Sequence, residues 1–219
     1  MLTKKNQQKA VPVRIAVLVS GGGTNLQALI DAQAAGTLHS GQICLVISNK
    51  RDAYALERAR MAGIPSTVVD KKAYPEVADF EGRLISILQE NRIDLIVLAG
   101  FLCILSQDFT AAYPRRILNI HPSLIPAFCG KGYYGLKVHE AALARGVKLT
   151  GATVHYVNEI PDGGEIIMQK AIAVRRSDTP ESLQQRVMRM AEWKIYPAAV
   201  ERVCQRILAG TNDQENQGE

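Results

Sequence analysis

Residues 13–35 read Val-Arg-Ile-Ala-Val-Leu-Val-Ser-Gly-Gly-Gly-Thr-Asn-Leu-Gln-Ala-Leu-Ile-Asp-Ala-Gln-Ala-Ala. An aliphatic run over 13–19 predicts a strand, three glycines follow, and a helical pattern covers 25–35. Strand, glycine turn and helix in that order open an α/β unit. The glycines let the backbone approach a ligand closely, and the helix N-terminus offers unpaired N–H groups with a favourable dipole. No Gly-Lys-Ser/Thr follows, so the loop is not a Walker loop. Leu26 stands where a dinucleotide fingerprint has its third glycine. A single phosphate held by Gly23, Thr24 and Asn25 fits the loop. The alternative is a tight turn in which Thr24 or Asn25 is an ordinary helix cap.

Working outward, strand patterns over 42–47, 66–69, 94–98 and 116–121 alternate with helical patterns over 53–62, 76–91 and 105–113. Segment 94–98 is almost wholly apolar, as in a parallel strand covered on both faces. The second half changes texture. A helix over 138–145 precedes two strands, over 150–157 and 166–174, read as antiparallel around a turn. Thr179-Pro180-Glu181 supplies an N-cap, a proline at the first helical position and an acid in the first turn. A long helical pattern runs on to Leu208, with a break or kink expected at Pro197. The fold class is therefore α/β, a doubly wound, mostly parallel sheet with an antiparallel strand in the C-terminal half. One domain is expected over 13–208, with flexible termini over 1–12 and 209–219.

Composition narrows the function. The 219 residues carry a formal charge of +5, with 47% hydrophobic and 21% charged residues. That mild excess suits an anionic small molecule, and no basic run interleaved with aromatics suggests nucleic acid. Cys44, Cys103, Cys129 and Cys204 lie far apart, without Cys-x-x-Cys, as reduced structural thiols would. No signal peptide and no apolar run long enough to cross a membrane is expected, which points to the cytoplasm. The scattered histidines and cysteines predict no metal site.

Residues 118–126, Leu-Asn-Ile-His-Pro-Ser-Leu-Ile-Pro, carry the chemistry. Side chains alternate along a strand, so Asn119 and His121 share one face at its carboxyl end. Pro122 and Pro126 stiffen the exit. An amide donor beside a titratable imidazole suits acyl transfer, where an oxyanion develops and a proton moves. Asp162, before two glycines, is either a plain turn residue or a carboxylate that reaches His121 and raises its pKa. His155 reads as a structural histidine. His139 lacks the second histidine of a zinc-protease helix, and His39 lies in a loop.

These pieces together resemble the phosphoribosylglycinamide formyltransferases, folate-dependent enzymes of purine biosynthesis. The resemblance rests on Ser-Gly-Gly-Gly-Thr-Asn-Leu-Gln at 20–27, Ile-Ser-Asn-Lys at 47–50 and Leu-Glu-Arg-Ala-Arg at 56–60. It continues with Leu-Ala-Gly-Phe at 98–101, Asn-Ile-His-Pro-Ser-Leu-Ile-Pro at 119–126 and Ile-Tyr-Pro at 195–197. The His-Pro-Ser-Leu core alone names only the wider group of folate formyltransferases and deformylases. The resemblance implies formyl transfer from 10-formyltetrahydrofolate, as co-substrate, to the glycine amine of phosphoribosylglycinamide. It implies a phosphate-binding half over 13–118 and a catalytic and folate half over 119–208. Asn119 and His121 would meet the oxyanion, and Asp162 would hold His121 protonated. Gly23, Thr24 and Asn25 would hold the phosphate, and Glu192 the ribosyl group. Leu102, Cys103, Ile104, Leu105 and Val157 would line the folate site. Small-molecule partners and a monomer or homodimer are implied, with no nucleic acid and no membrane.

The chain departs from that family's pattern in places. Cys103 stands where many members carry arginine, and Lys71 or Lys72 takes the place of an arginine used toward the folate tail. Trp193 replaces a histidine, and the run between Arg186 and Glu192 is one residue longer. The glycine-rich loop from Phe128 to Gly135 suggests a mobile cover, with Lys131 as a phosphate contact. Two rivals remain. A deformylase would use water as acceptor, and usually has a further domain, as a methionyl-tRNA formyltransferase does. A non-catalytic folate or nucleotide sensor would not need the Asn119, His121 and Asp162 set.

Overall fold

The computed structural model describes residues 11–210. Most of both expected flexible termini, 1–10 and 211–219, lies outside the described residues. Seven strands form one sheet in the order β3-β2-β1-β4-β5-β6-β7. They are β1 (Val13–Val19), β2 (Gly41–Ser48), β3 (Ser66–Val68), β4 (Leu95–Leu98), β5 (Ile117–His121), β6 (Leu149–Tyr156) and β7 (Ile166–Ala173). β1 pairs in parallel with β2 and β4, as do β2 with β3 and β4 with β5. β6 is the strand that opposes the rest, antiparallel to both β5 and β7.

Each side of the sheet has its own core, which explains the unbroken aliphatic runs. From β1, Ile15, Val17 and Val19 face one side, packing with Leu26 and Leu29 of α1 (Thr24–Ala34) and with Tyr196 and Val200. Ala16 and Leu18 face the other, against Phe80 and Leu84 of α3 (Val77–Glu90) and Phe109 of α4 (Gln107–Ala112). Alternating side chains of a doubly covered strand must all be apolar. α2 (Tyr54–Met61) joins the α1 side through Ala55 and Ala59. α4 starts later than the helical pattern predicted, because the Ser106 side chain caps it by accepting the Phe109 N–H at 3.2 Å.

The C-terminal helices differ most from expectation. α5 is Leu136–Arg145, and α6 is Pro180–Val187 with the Thr179 cap in place. The chain then winds through a five-residue π turn, Met188–Glu192, into α7, Trp193–Ala209. A π turn takes up one extra residue within a helix, which accounts for the longer run before Glu192. The departure from α geometry lies there, and Pro197 sits inside α7 without interrupting it. Ala209, assigned to the tail by sequence, closes α7.

β1 is followed toward β2 and β3 on one side, and β4 leads to β5 on the other. The crevice between the carboxyl ends of β1 and β4 is therefore a topological switch point, where ligands of open α/β sheets bind. Tyr196 secures this end. Its buried hydroxyl donates to the Leu98 carbonyl at 2.7 Å and lies 3.3 Å from that of Leu118, so α7 is pinned to the ends of β4 and β5.

Candidate active site

The glycine loop is shaped by its neighbour helix. Gly23 has φ 71°, and a Cβ there would stand 2.7 Å from the Ala55 Cβ, so only glycine fits. The Ala55 N–H donates to the Gly21 carbonyl at 3.0 Å, and Arg58 Nε donates to the Gly22 carbonyl at 2.8 Å. Gly23 itself is the N-cap of α1, with no side-chain cap and no acid in the first turn. Thr24 and Asn25 are thus not ordinary caps. Asn25 points across to the second half and donates through Nδ2 to Glu192 Oε2 at 2.7 Å.

Asn25 is also the member of the loop trio that lines the cleft at the ends of β4 and β5, a hollow of about 730 Å³. Thr24 faces a separate hollow between α1 and α7, beside Arg58 and Trp193, and Gly23 lines neither. The cradle and the cleft thus meet at Asn25 and Glu192. Burial pushes the Glu192 carboxyl up to about 7, and the Asn25 bond offsets only part of that. The π turn sets Glu192 one helical turn before Tyr196, whose anchor fixes that face of α7 against the sheet.

Asn119 and His121 lie on one face of β5, as the strand period requires, and both line the cleft. Asp162 reaches them from the turn after β6. His121 Nδ1 lies 3.4 Å from Asp162 Oδ2, and Asn119 Nδ2 lies 3.5 Å from Asp162 Oδ1. The turn is forced into this position. Asp162 has φ 57°, unusual for a non-glycine residue, and a Cβ on Gly164 would stand 1.8 Å from the Tyr156 carbonyl oxygen. The Gly130 N–H also donates to Asp162 Oδ2, at 2.8 Å.

The proton inventory follows from these contacts. His121 Nε2 lies 2.8 Å from the Phe128 carbonyl oxygen, so that nitrogen carries a hydrogen. Nδ1 then faces a carboxylate, which favours the doubly protonated ring. Burial opposes this more strongly, and the net His121 pKa falls below the ordinary imidazole value, with Asp162 and the Phe128 carbonyl pulling upward. Sequence reasoning anticipated only the upward pull. For Asp162 burial acts upward, yet His155, the charge of His121 and the Gly130 N–H together hold its pKa below the usual carboxylate value. It is ionised at neutral pH.

His155, read from sequence as a structural residue, belongs to this cluster. Its Nδ1 lies 2.7 Å from the Tyr156 carbonyl oxygen, and its Nε2 lies 3.2 Å from Asn119 Nδ2. Nε2 also lies 3.5 Å from Asp162 Oδ1, so this nitrogen faces both the Asn119 amide and the carboxylate. The Asn119 amide has only long contacts, to His155 Nε2 and Asp162 Oδ1, and its N–H groups are placed to meet an oxyanion. The register that places Asn119 opposite His155 gives no signal along a single strand. His139, set aside as a half-formed zinc motif, also lines the cleft.

Leu102, Cys103, Ile104, Leu105 and Val157 border the same cleft. Leu102 and Ile104 are 61% and 66% exposed, an apolar rim suited to a flat ring system. The segment is held by Leu102 N–H donating to Ser20 Oγ at 2.9 Å and Ser106 N–H donating to Glu81 at 2.8 Å. Cys103, expected to be a plain structural thiol, accepts from Asn49 Nδ2 at 3.0 Å at the cleft edge. Lys131 borders the cleft, whereas Lys71 and Lys72 do not. The expected mobile cover is seated on the site through Phe128 and Gly130. Among the described residues, no group of three His, Cys, Asp or Glu side chains could hold a metal ion, and no helix is long and apolar enough to cross a membrane.

A glycine cradle at the switch point, joined to an amide, an imidazole and a carboxylate at the end of the adjoining strand, defines a site for acyl-group transfer in an α/β enzyme. Residues 13–200 match the formyl transferase family, and the chain belongs to it. It is 42% identical to phosphoribosylglycinamide formyltransferase of Haemophilus influenzae over 187 residues, 85% of each chain. It is 46% identical to the human trifunctional purine biosynthetic protein adenosine-3 over 191 residues, covering 87% of this chain but 18% of that much longer protein. The crystal structure of glycinamide ribonucleotide transformylase 1 from Symbiobacterium toebii superposes with a TM-score of 0.85 at 42% identity, covering 92% of both chains.

Proposed function

We propose that the chain transfers the formyl group of 10-formyltetrahydrofolate to the glycine amine of N1-(5-phosphoribosyl)glycinamide, a step of de novo purine biosynthesis. The observation that carries this reading is the convergence of Asn119, His121 and Asp162 within 3.5 Å, in a cleft that Asn25 and Glu192 also line. The amine lone pair attacks the formyl carbon, and the carbonyl π electrons move to oxygen. An Asn119 N–H, turned from its long contact with Asp162, and the positive charge of protonated His121 stabilise that oxyanion. Collapse restores the carbonyl and breaks the bond to the folate nitrogen. His121 passes a proton to this leaving nitrogen and is replenished by the proton the amine gives up. Asp162 favours the charged form of His121 and orients it.

Gly23, Thr24 and Asn25 hold the substrate phosphate at the N-terminus of α1, and Glu192 meets the ribosyl group. The apolar rim from Leu102 to Leu105, with Cys103, and Val157 hold the pterin, largely through backbone groups. The substrates are small molecules, and the enzyme works in the cytoplasm as a monomer or homodimer. A folate-difference spectrum tests the reading. Tetrahydrofolate formed only when phosphoribosylglycinamide is present supports it. Production without the acceptor would indicate a deformylase, and binding without conversion a sensor.

A further inference from the structure

His139 lies on α5 with its side chain fully buried, and among the described residues neither ring nitrogen has a hydrogen-bond partner. Its inward neighbours on the helix, Val138 and Ala142, are apolar. A histidine in such a place costs stability, because a buried polar group without a partner keeps its full desolvation penalty. An aliphatic side chain would serve the packing better. Yet His139 is one of the residues that border the cleft, together with His121, Gly135 and Met188. Burial, and then the nearby charge of His121, push its pKa down to about 4. The ring is therefore neutral at working pH, with one N–H and one lone pair to offer.

The reaction has a use for that lone pair. Asp162 already takes the Gly130 N–H and faces His121 and His155, and Glu192 takes the Asn25 amide. A carboxylate beside the amine would also hold it as an ammonium ion, which cannot attack. A neutral imidazole accepts one N–H without favouring the charged form. We propose that His139 accepts an N–H of the attacking amine and so turns its lone pair toward the formyl carbon. This rests on the formyl-transfer reading above.

Two variants test it. His139→Leu should melt at or above the wild-type temperature, bind 10-formyltetrahydrofolate with unchanged affinity, and lose roughly a hundredfold in acceptor-dependent turnover, the scale of a misaligned nucleophile. His139→Gln, whose amide oxygen can accept, should recover part of that loss. Wild-type turnover in His139→Leu would overturn the inference. So would a lowered melting temperature with turnover and folate affinity falling together, the mark of a core residue. If the wild-type protein itself transfers no formyl group to the amine, the functional reading fails, and this inference with it.

Discussion

The charge state of His121 is set by a contest between burial and Asp162. Burial wins in the net pKa, so the carboxylate restores only part of what desolvation removes. Replacing Asp162 by Asn removes the upward pull and should lower the His121 pKa further. If protonated His121 is the active form, activity is present below its pKa and lost as pH rises through it. In Asp162→Asn the alkaline limb of the pH–kcat profile should therefore move toward acid. Superimposable profiles would remove Asp162 from this role. Asn119 and His121 were legible because a period of two places them on one face whatever the rest of the chain does. Asp162 was only half legible, since a turn residue before two glycines is common. Its approach to His121 depends on Gly164 packing against the Tyr156 carbonyl, a contact made only in the folded chain. The placement of His155 and His139 beside the cleft gave no signal in the sequence, because one is set by cross-strand register and the other by the direction of a buried helix face.

At the level of elements, strong periodicity gave the strands and helices of the first half to within one or two residues. Helix starts were less legible, as at α4, where the Ser106 cap sets the boundary. The π turn at Met188–Glu192 shows why counting along a helical pattern fails there. The extra residue is absorbed within the turn, so Glu192 still meets Asn25 while α6 keeps its own capped start. Proline was the visible punctuation in that stretch, but the deviation from α geometry occurs five residues earlier, at Glu192, and α7 runs on through Pro197.

At the scale of the whole molecule, the two halves do not act separately. The glycine loop and Glu192 lie far apart in the chain, and the hydrogen bond between Asn25 and Glu192 spans 167 residues of sequence. That junction should be visible in global stability. The Glu192 carboxyl titrates near 7 when folded, against an ordinary value of 4.5. Between those values the folded protein binds more protons than the unfolded chain, so this group's contribution falls as pH rises and levels off above about 7. Glu192→Gln does not titrate. Its stability relative to wild type should grow across that window, by on the order of 3 kcal/mol, as denaturant unfolding at a series of pH values would show. A constant difference would mean that the carboxylate is solvated in solution. The proposed chemistry turns on Asn119 as the donor to the oxyanion of a formyl group in transfer. Acceptor-dependent kcat of folded Asn119→Ala tests it most directly. A loss of roughly a hundred- to a thousandfold with folate affinity retained is expected, and wild-type turnover in that variant would contradict this role for Asn119.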